Sequence, residues 1–134
     1  MSKRVLDVGN CNPDHAAIRR MLETTFGAEV VRAHEAAEAL RLLREQPFDL
    51  VLVNRKLDSD YSDGLPIIET IKADAALAGL PCMLITNYAE HQEAAVAAGA
   101  AYGFGKKEIN AAQTRAKLAA ILAPASPSAS SPPA

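Results

Sequence analysis

The sequence predicts a doubly wound α/β domain built on five parallel strands, and three observations carry that expectation. Short apolar runs of strand length alternate with segments of helical periodicity along residues 4–122. One run, Leu50-Val51-Leu52-Val53, is apolar at successive positions, as a strand covered on both faces requires. Each strand-to-strand crossover is long enough for a helix, and right-handed crossovers place those helices on both sides of a sheet.

The elements follow in order. The first strand covers Arg4–Val8. In the helix after it, Asn12 is the expected N-cap and Pro13 the first helical residue. Ile18, Met21, Leu22 and Phe26 form its inner face, and Gly27 closes it because glycine accepts left-handed dihedrals. The second strand covers Glu29–Ala33, and Ala36, Ala39, Leu40 and Leu43 mark the inner face of the second helix. The third strand, residues 48–53, delivers Asn54 at its C-terminal end. Ile67, Ile68 and Ile71 define the third helix, residues 82–86 the fourth strand, and Ala101–Phe104 the fifth. Thr114, Leu118, Ile121 and Leu122 define the last helix. The fourth helix, around residues 90–98, is mostly alanine, so it is expected to be the most weakly anchored element. Residues 123–134 are Ala, Pro and Ser, a composition that cannot bury a core. The expected division is an ordered domain over 1–122 and a disordered tail over 123–134.

Composition narrows the function classes. A chain of 134 residues suits one domain, and 49% hydrophobic with only 4% aromatic content means an aliphatic core. A formal charge of −2, with its basic pairs interleaved among acids, argues against a nucleic-acid surface. Cys11 and Cys82 offer neither a disulfide framework nor zinc spacing. The N-terminus runs directly into a strand, without a signal-peptide core or a membrane-length apolar stretch, so a cytoplasmic protein is expected. No Ser/His/Asp order, metal-ligand cluster or nucleotide fingerprint is present to mark an enzyme, and no cofactor or metal is expected.

Open α/β sheets place functional groups at strand C-termini, which makes Asn54 the most informative residue. Around it, Asn12-Pro13-Asp14-His15, Glu38-Ala39-Leu40, residues 49–54, Asp63-Gly64, Pro81, Leu84-Ile85-Thr86, Ala98-Gly99-Ala100 and Lys106 stand in register. Over residues 3–122 this pattern resembles the response-regulator receiver family. The resemblance implies strand order 2-1-3-4-5, as in flavodoxin, and puts Asn54 where the family holds its phospho-accepting aspartate. The family's acidic pair falls on Gly9-Asn10, or on Asn10-Cys11, because the loop is one residue longer; neither alignment supplies a carboxylate. Thr86 and Lys106 match the retained hydroxyl and lysine. Gly103 occupies the place of the switch aromatic, flanked by Tyr102 and Phe104 on the opposite face, and Lys107 replaces the usual proline.

Three carboxylates and a lysine give the family's pocket a formal charge of about −2; here Lys106 alone leaves about +1, which disfavours a divalent cation. The function implied is a pseudo-receiver that signals by protein contacts without phosphorylation. Its output surface falls on residues 89–98, 101–104 and 108–121, its partner is a signalling protein, and the chain is a monomer or weak homodimer. Two alternatives stay open: a sensor of small anions or phosphometabolites in the former phosphorylation pocket, and a receiver phosphorylated at a non-standard residue.

Several residues have two readings. Asp58, Asp60 and Asp63 lie in a loop two residues longer than usual; they lack the glycine and glutamate of a calcium loop and read as solvated, with Asp58 or Asp60 a remote second acceptor. Cys11 is a plain small residue or a reactive thiol at the pocket mouth. His15 reads as surface. Asp7, inside an apolar strand, requires a partner or a proton, and Arg4 and Lys106 are the candidates.

Overall fold

Alternation along the central strand organises the molecule. In the computed structural model, which describes residues 2–123, Leu50 and Leu52 of the third strand face one layer while Val51 and Val53 face the other. The elements are β1 (Arg4–Val8), α1 (Asn12–Phe26), β2 (Glu29–Ala33), α2 (Ala36–Glu45), β3 (Leu50–Asn54), α3 (Leu65–Ala73), β4 (Cys82–Ile85), α4 (Ala89–Ala97), β5 (Ala101–Phe104) and α5 (Ala112–Leu122), with a 3-10 turn at Lys106–Glu108. All strand pairs are parallel, in the order β2-β1-β3-β4-β5. The expected fold class and strand order are those observed.

Two cores result. Leu6, Val8, Val51, Val53 and Leu84 pack against α2, α3 and Ala95 of α4. Val5, Leu50, Leu52, Met83, Ile85 and Phe104 pack against Ile18, Met21 and Leu22 of α1 and Leu118 and Leu122 of α5. Full burial of a side chain such as Ile68 or Leu52 stabilises the fold by about 1.5–3 kcal/mol. The predicted tail lies outside the described residues, apart from Ala123.

Three local expectations are corrected. The N-cap of α1 is Cys11, without a side-chain cap bond, and Asn12 lies inside the helix with Pro13 in its first turn. Gly27 does close it, at φ 63°, its N–H donating to the Glu23 carbonyl while the next N–H, of Ala28, donates to Leu22. β3 begins at Leu50 and includes Asn54, while β4 stops at Ile85, before Thr86.

The third correction concerns α4. Its apolar face is thin, as the alanines imply, but a buried glutamine anchors it. Gln92 is 2% exposed. Its Nε2 donates to the carbonyls of Leu84 at 2.9 Å and Thr86 at 3.3 Å, and its Oε1 accepts from the Gly103 N–H at 2.8 Å. One side chain thus joins α4 to the ends of β4 and β5. Gly103 leaves the room for it, since a Cβ there would stand 2.3 Å from the Leu84 carbonyl and 3.3 Å from the Gln92 amide. Phe104 and Tyr102 lie toward α5, as the alternation requires: Phe104 is in the core, and Lys117 of α5 stands 4.8 Å from the Tyr102 ring centre.

Candidate functional site

The C-terminal ends of β3 and β4 and the loops after them bound a crevice of about 360 Å³. This is the switch point of the sheet, where β1 separates the chain direction toward β2 from that toward β3. Asn54, Thr86 and Lys106 all reach its wall, so the sequence brings these three together as expected. Gly9 and Asn10 do not line it, and Cys11 does.

Asn54 is 8% exposed and its Nδ2 donates to the carbonyls of Gly9 at 3.1 Å and Lys56 at 2.7 Å. Two carbonyl oxygens accept only from a donor, so they fix which end of the amide is nitrogen. Both amide hydrogens are thereby used, leaving only the oxygen for the crevice. The Gly9 carbonyl also accepts from the Asp58 N–H at 2.9 Å. Gly9 itself has φ 76°, and a Cβ there would meet Leu57 Cδ2 at 2.4 Å. Leu57, fully buried, is seated on that glycine.

Asn10 turns inward. Its Nδ2 donates to Asp7 Oδ1 at 2.5 Å, and its own Oδ1 has no partner among the described residues. Asp7, fully buried, also meets His15 Nδ1 at 2.6 Å and is in register with Arg32 of β2. The expected partners, Arg4 and Lys106, are thus replaced by His15 and Asn10: Asp7 faces α1, whereas Arg4 bonds Glu29 at the sheet edge and Lys106 bonds Asp14. His15 is correspondingly a largely buried partner, its side chain 13% exposed, and not the surface residue the sequence suggested. Burial pushes the Asp7 carboxyl above its ordinary value, and the hydrogen bonds from His15 and Asn10 only partly offset it.

The expected charge balance of the pocket also changes. Lys106 Nζ lies 2.7 Å from Asp14 Oδ2, so α1 returns a carboxylate to the lysine. Partial burial raises the Asp14 carboxyl, but hydrogen bonds from Lys106 and from the Cys11 thiol outweigh it, and the net position is below the ordinary value. The thiol donates to Asp14 at 3.1 Å, which ties Cys11 to this pair. Thr86 is buried, and its hydroxyl oxygen accepts from the Tyr88 N–H at 3.2 Å. It therefore holds the start of α4 as well as facing the crevice.

The loop over the mouth is folded. Lys56 and Asp63 form an antiparallel bridge and an ion pair of 2.7 Å. Leu57 and Ser62 join through a 2.8 Å main-chain bond. Asp60 accepts from the Ser62 hydroxyl and N–H, which hold its carboxyl below the ordinary range, and Lys56 does the same for Asp63. Asp58, Asp60 and Asp63 thus have separate surroundings and do not converge.

Magnesium requires oxygen ligands in near-octahedral array. At the crevice floor the Asn54 N–H2 group occupies the place between two carbonyls where a cation would be drawn, and positions 9 and 10 present no carboxylate. The donor set does not fit that ion. Gln92, Asp14 and the role of His15 were not visible from sequence: each contact joins elements with no shared periodicity, and only the polar residue on an otherwise alanine face hinted at Gln92.

Fold and crevice together define a doubly wound α/β domain with its polar groups gathered at the switch point. The response regulator receiver domain family matches residues 13–119, and the chain belongs to that family. Solved structures share the fold. A response regulator from Chloroflexus aurantiacus superposes with a TM-score of 0.75 at 20% identity, covering 92% of this chain and 100% of its own. The signal receiver domain of a DNA-binding response regulator from Colwellia psychrerythraea gives 0.73 at 22%, covering 87% and 95%. A Burkholderia pseudomallei response regulator, solved with a phosphorylated aspartic acid, a calcium ion and citrate, gives 0.69 at 24%, covering 90% and 66%. Family membership makes this a two-component signalling module. No helix among the described residues is long and apolar enough to cross a membrane.

Proposed function

We propose that this chain is a pseudo-receiver, a signalling module that acts by protein contact and is not phosphorylated at the usual position. The observation that carries the reading is the fixed amide of Asn54, which donates to Gly9 and Lys56 carbonyls at 3.1 and 2.7 Å. A phosphoryl acceptor must supply a nucleophilic oxygen beside a charge-neutralising metal. Asn54 supplies a neutral amide, Gly9 carries Leu57, and Asn10 is turned toward Asp7. The Gln92 clamp adds support, because it fills the space beside Gly103 where the resemblance places a switch aromatic.

The contact surface in this reading is α4, β5 and α5, where Val96 and Tyr102 are exposed. Its partner is another signalling protein, the module works in the cytoplasm as a monomer or weak homodimer, and it catalyses nothing. Intact mass after incubation with acetyl phosphate and magnesium tests the first half: the native chain is expected to gain no phosphoryl group, and a magnesium-dependent adduct overturns the proposal. Substituting Val96→Glu and Tyr102→Glu tests the second half, with loss of partner capture expected while the far-UV spectrum is unchanged.

A further inference from the structure

Arg55 is the one cation on the crevice wall that makes no direct ion pair among the described residues; its charge acts on Asp63 only at longer range. Lys106 is engaged by Asp14 and Lys56 by Asp63, each at 2.7 Å. The Arg55 main chain is fixed, its N–H on the Ile85 carbonyl at 3.2 Å and its carbonyl accepting from Gly64 at 2.8 Å. A planar guanidinium fork on an anchored backbone is suited to a carboxylate or phosphate. Asn54, with both hydrogens used, presents only an oxygen, so the strand end repels an anion. The attractive position has moved one residue along, to Arg55.

Two aromatic rings rim the same crevice from opposite loops. Tyr61 comes from the loop between β3 and α3 and Tyr88 from the loop between β4 and α4, and their residues are 78% and 57% exposed. Tyr61 has φ 58°, a left-handed backbone that a bulky residue rarely adopts and that glycine would accept freely. At that exposure the ring contributes nothing to the core, so folding alone does not account for a tyrosine there. Tyr88 is braced edge-on against His91, ring centres 5.5 Å apart.

We propose that the crevice binds a small anion carrying a planar ring, with the anionic group on Arg55 and the ring against Tyr61 and Tyr88. Nucleoside monophosphates and aryl phosphates represent the class. The volume of about 360 Å³ lies within the range of small-molecule sites. Binding here requires no movement of α4, so the Gln92 clamp is compatible with it, and the site stands whether or not the module docks through α4, β5 and α5.

The test is a titration of the full chain with AMP, GMP, CMP, UMP and phenyl phosphate, with adenosine and inorganic phosphate as controls. Thermal shift and tyrosine fluorescence serve as readouts, because the chain has three tyrosines and no tryptophan. Saturable binding of at least one ring-bearing phosphate is expected, about tenfold tighter than either control. Arg55→Gln is expected to weaken it about tenfold, and Lys106→Gln by less than about threefold. Tyr61→Gly relieves the left-handed backbone, so its melting temperature is expected to hold or rise while affinity falls about tenfold. The proposal is overturned by a flat response to every ring-bearing phosphate up to about 10 mM. It is equally overturned if inorganic phosphate binds as well as they do, or if Lys106→Gln is as damaging as Arg55→Gln.

Discussion

Asn54 sits between two carbonyl oxygens, and its replacement by aspartate is therefore not a neutral exchange. A carboxylate at 54 would face the Gly9 and Lys56 carbonyls without a hydrogen to offer. Asn54→Asp is expected to lower stability by about 1–3 kcal/mol near neutral pH, with the loss shrinking in acid as the new carboxyl gains a proton. Urea unfolding at several pH values measures it. Asp7 and Asp14 oppose one another in sign. Asp14, held low, contributes stability present above a pH of about 4 and lost as pH falls through its lowered value. Asp7, raised, contributes stability present below a pH of about 4 and lost as pH rises through its raised value. His15→Leu removes the group that meets Asp7 at 2.6 Å and is expected to cost about 3 kcal/mol at neutral pH and much less in acid. Adding Asp7→Asn to His15→Leu should restore most of the loss.

At the scale of elements, the join between α4 and the sheet is polar where the other helices use aliphatic contacts. Gln92→Leu leaves the Gly103 N–H and the Leu84 carbonyl without the partner they had, and each unmet buried group costs about 1–3 kcal/mol. Faster amide exchange at Gly103 is the expected signature, with α1 and β1 amides unaffected. Helical and strand periodicity made the order of ten elements legible, and the five strands to within two residues, since burial alternates as the sequence does: Ile67, Ile68 and Ile71 face the core as read. The anchoring of α4 was not legible. A single Gln among alanines gives no periodic signal, and its meaning depends on Gly103, a residue eleven positions away on another element.

For the molecule as a whole, the sheet order and the position of the crevice follow from the same crossovers that the sequence implied. The placement of Asn54, Thr86 and Lys106 on one wall was therefore legible. The charge of that wall was not. It depends on Asp14 reaching Lys106 from the first turn of α1, and on Arg55 making no direct ion pair among the described residues, which are matters of side-chain contact and not patterns along the chain. Lys106→Met should accordingly change global stability by no more than about 1 kcal/mol, because the pair is only partly buried, and should flatten the acid limb of the stability curve. Thermal unfolding between about pH 3 and about pH 7 checks both statements.

Leu57 on Gly9 puts an acidic pocket out of easy reach of this sequence. Any side chain at position 9 must both tolerate φ 76° and displace a leucine atom 2.4 Å from its Cβ. An aspartate at 54 alone meets two carbonyls, and one at 10 alone is buried beside Asp7. Each step toward an acidic pocket is therefore deleterious until the others have been taken, so single substitutions, filtered one at a time by selection for a folded protein, do not lead to one.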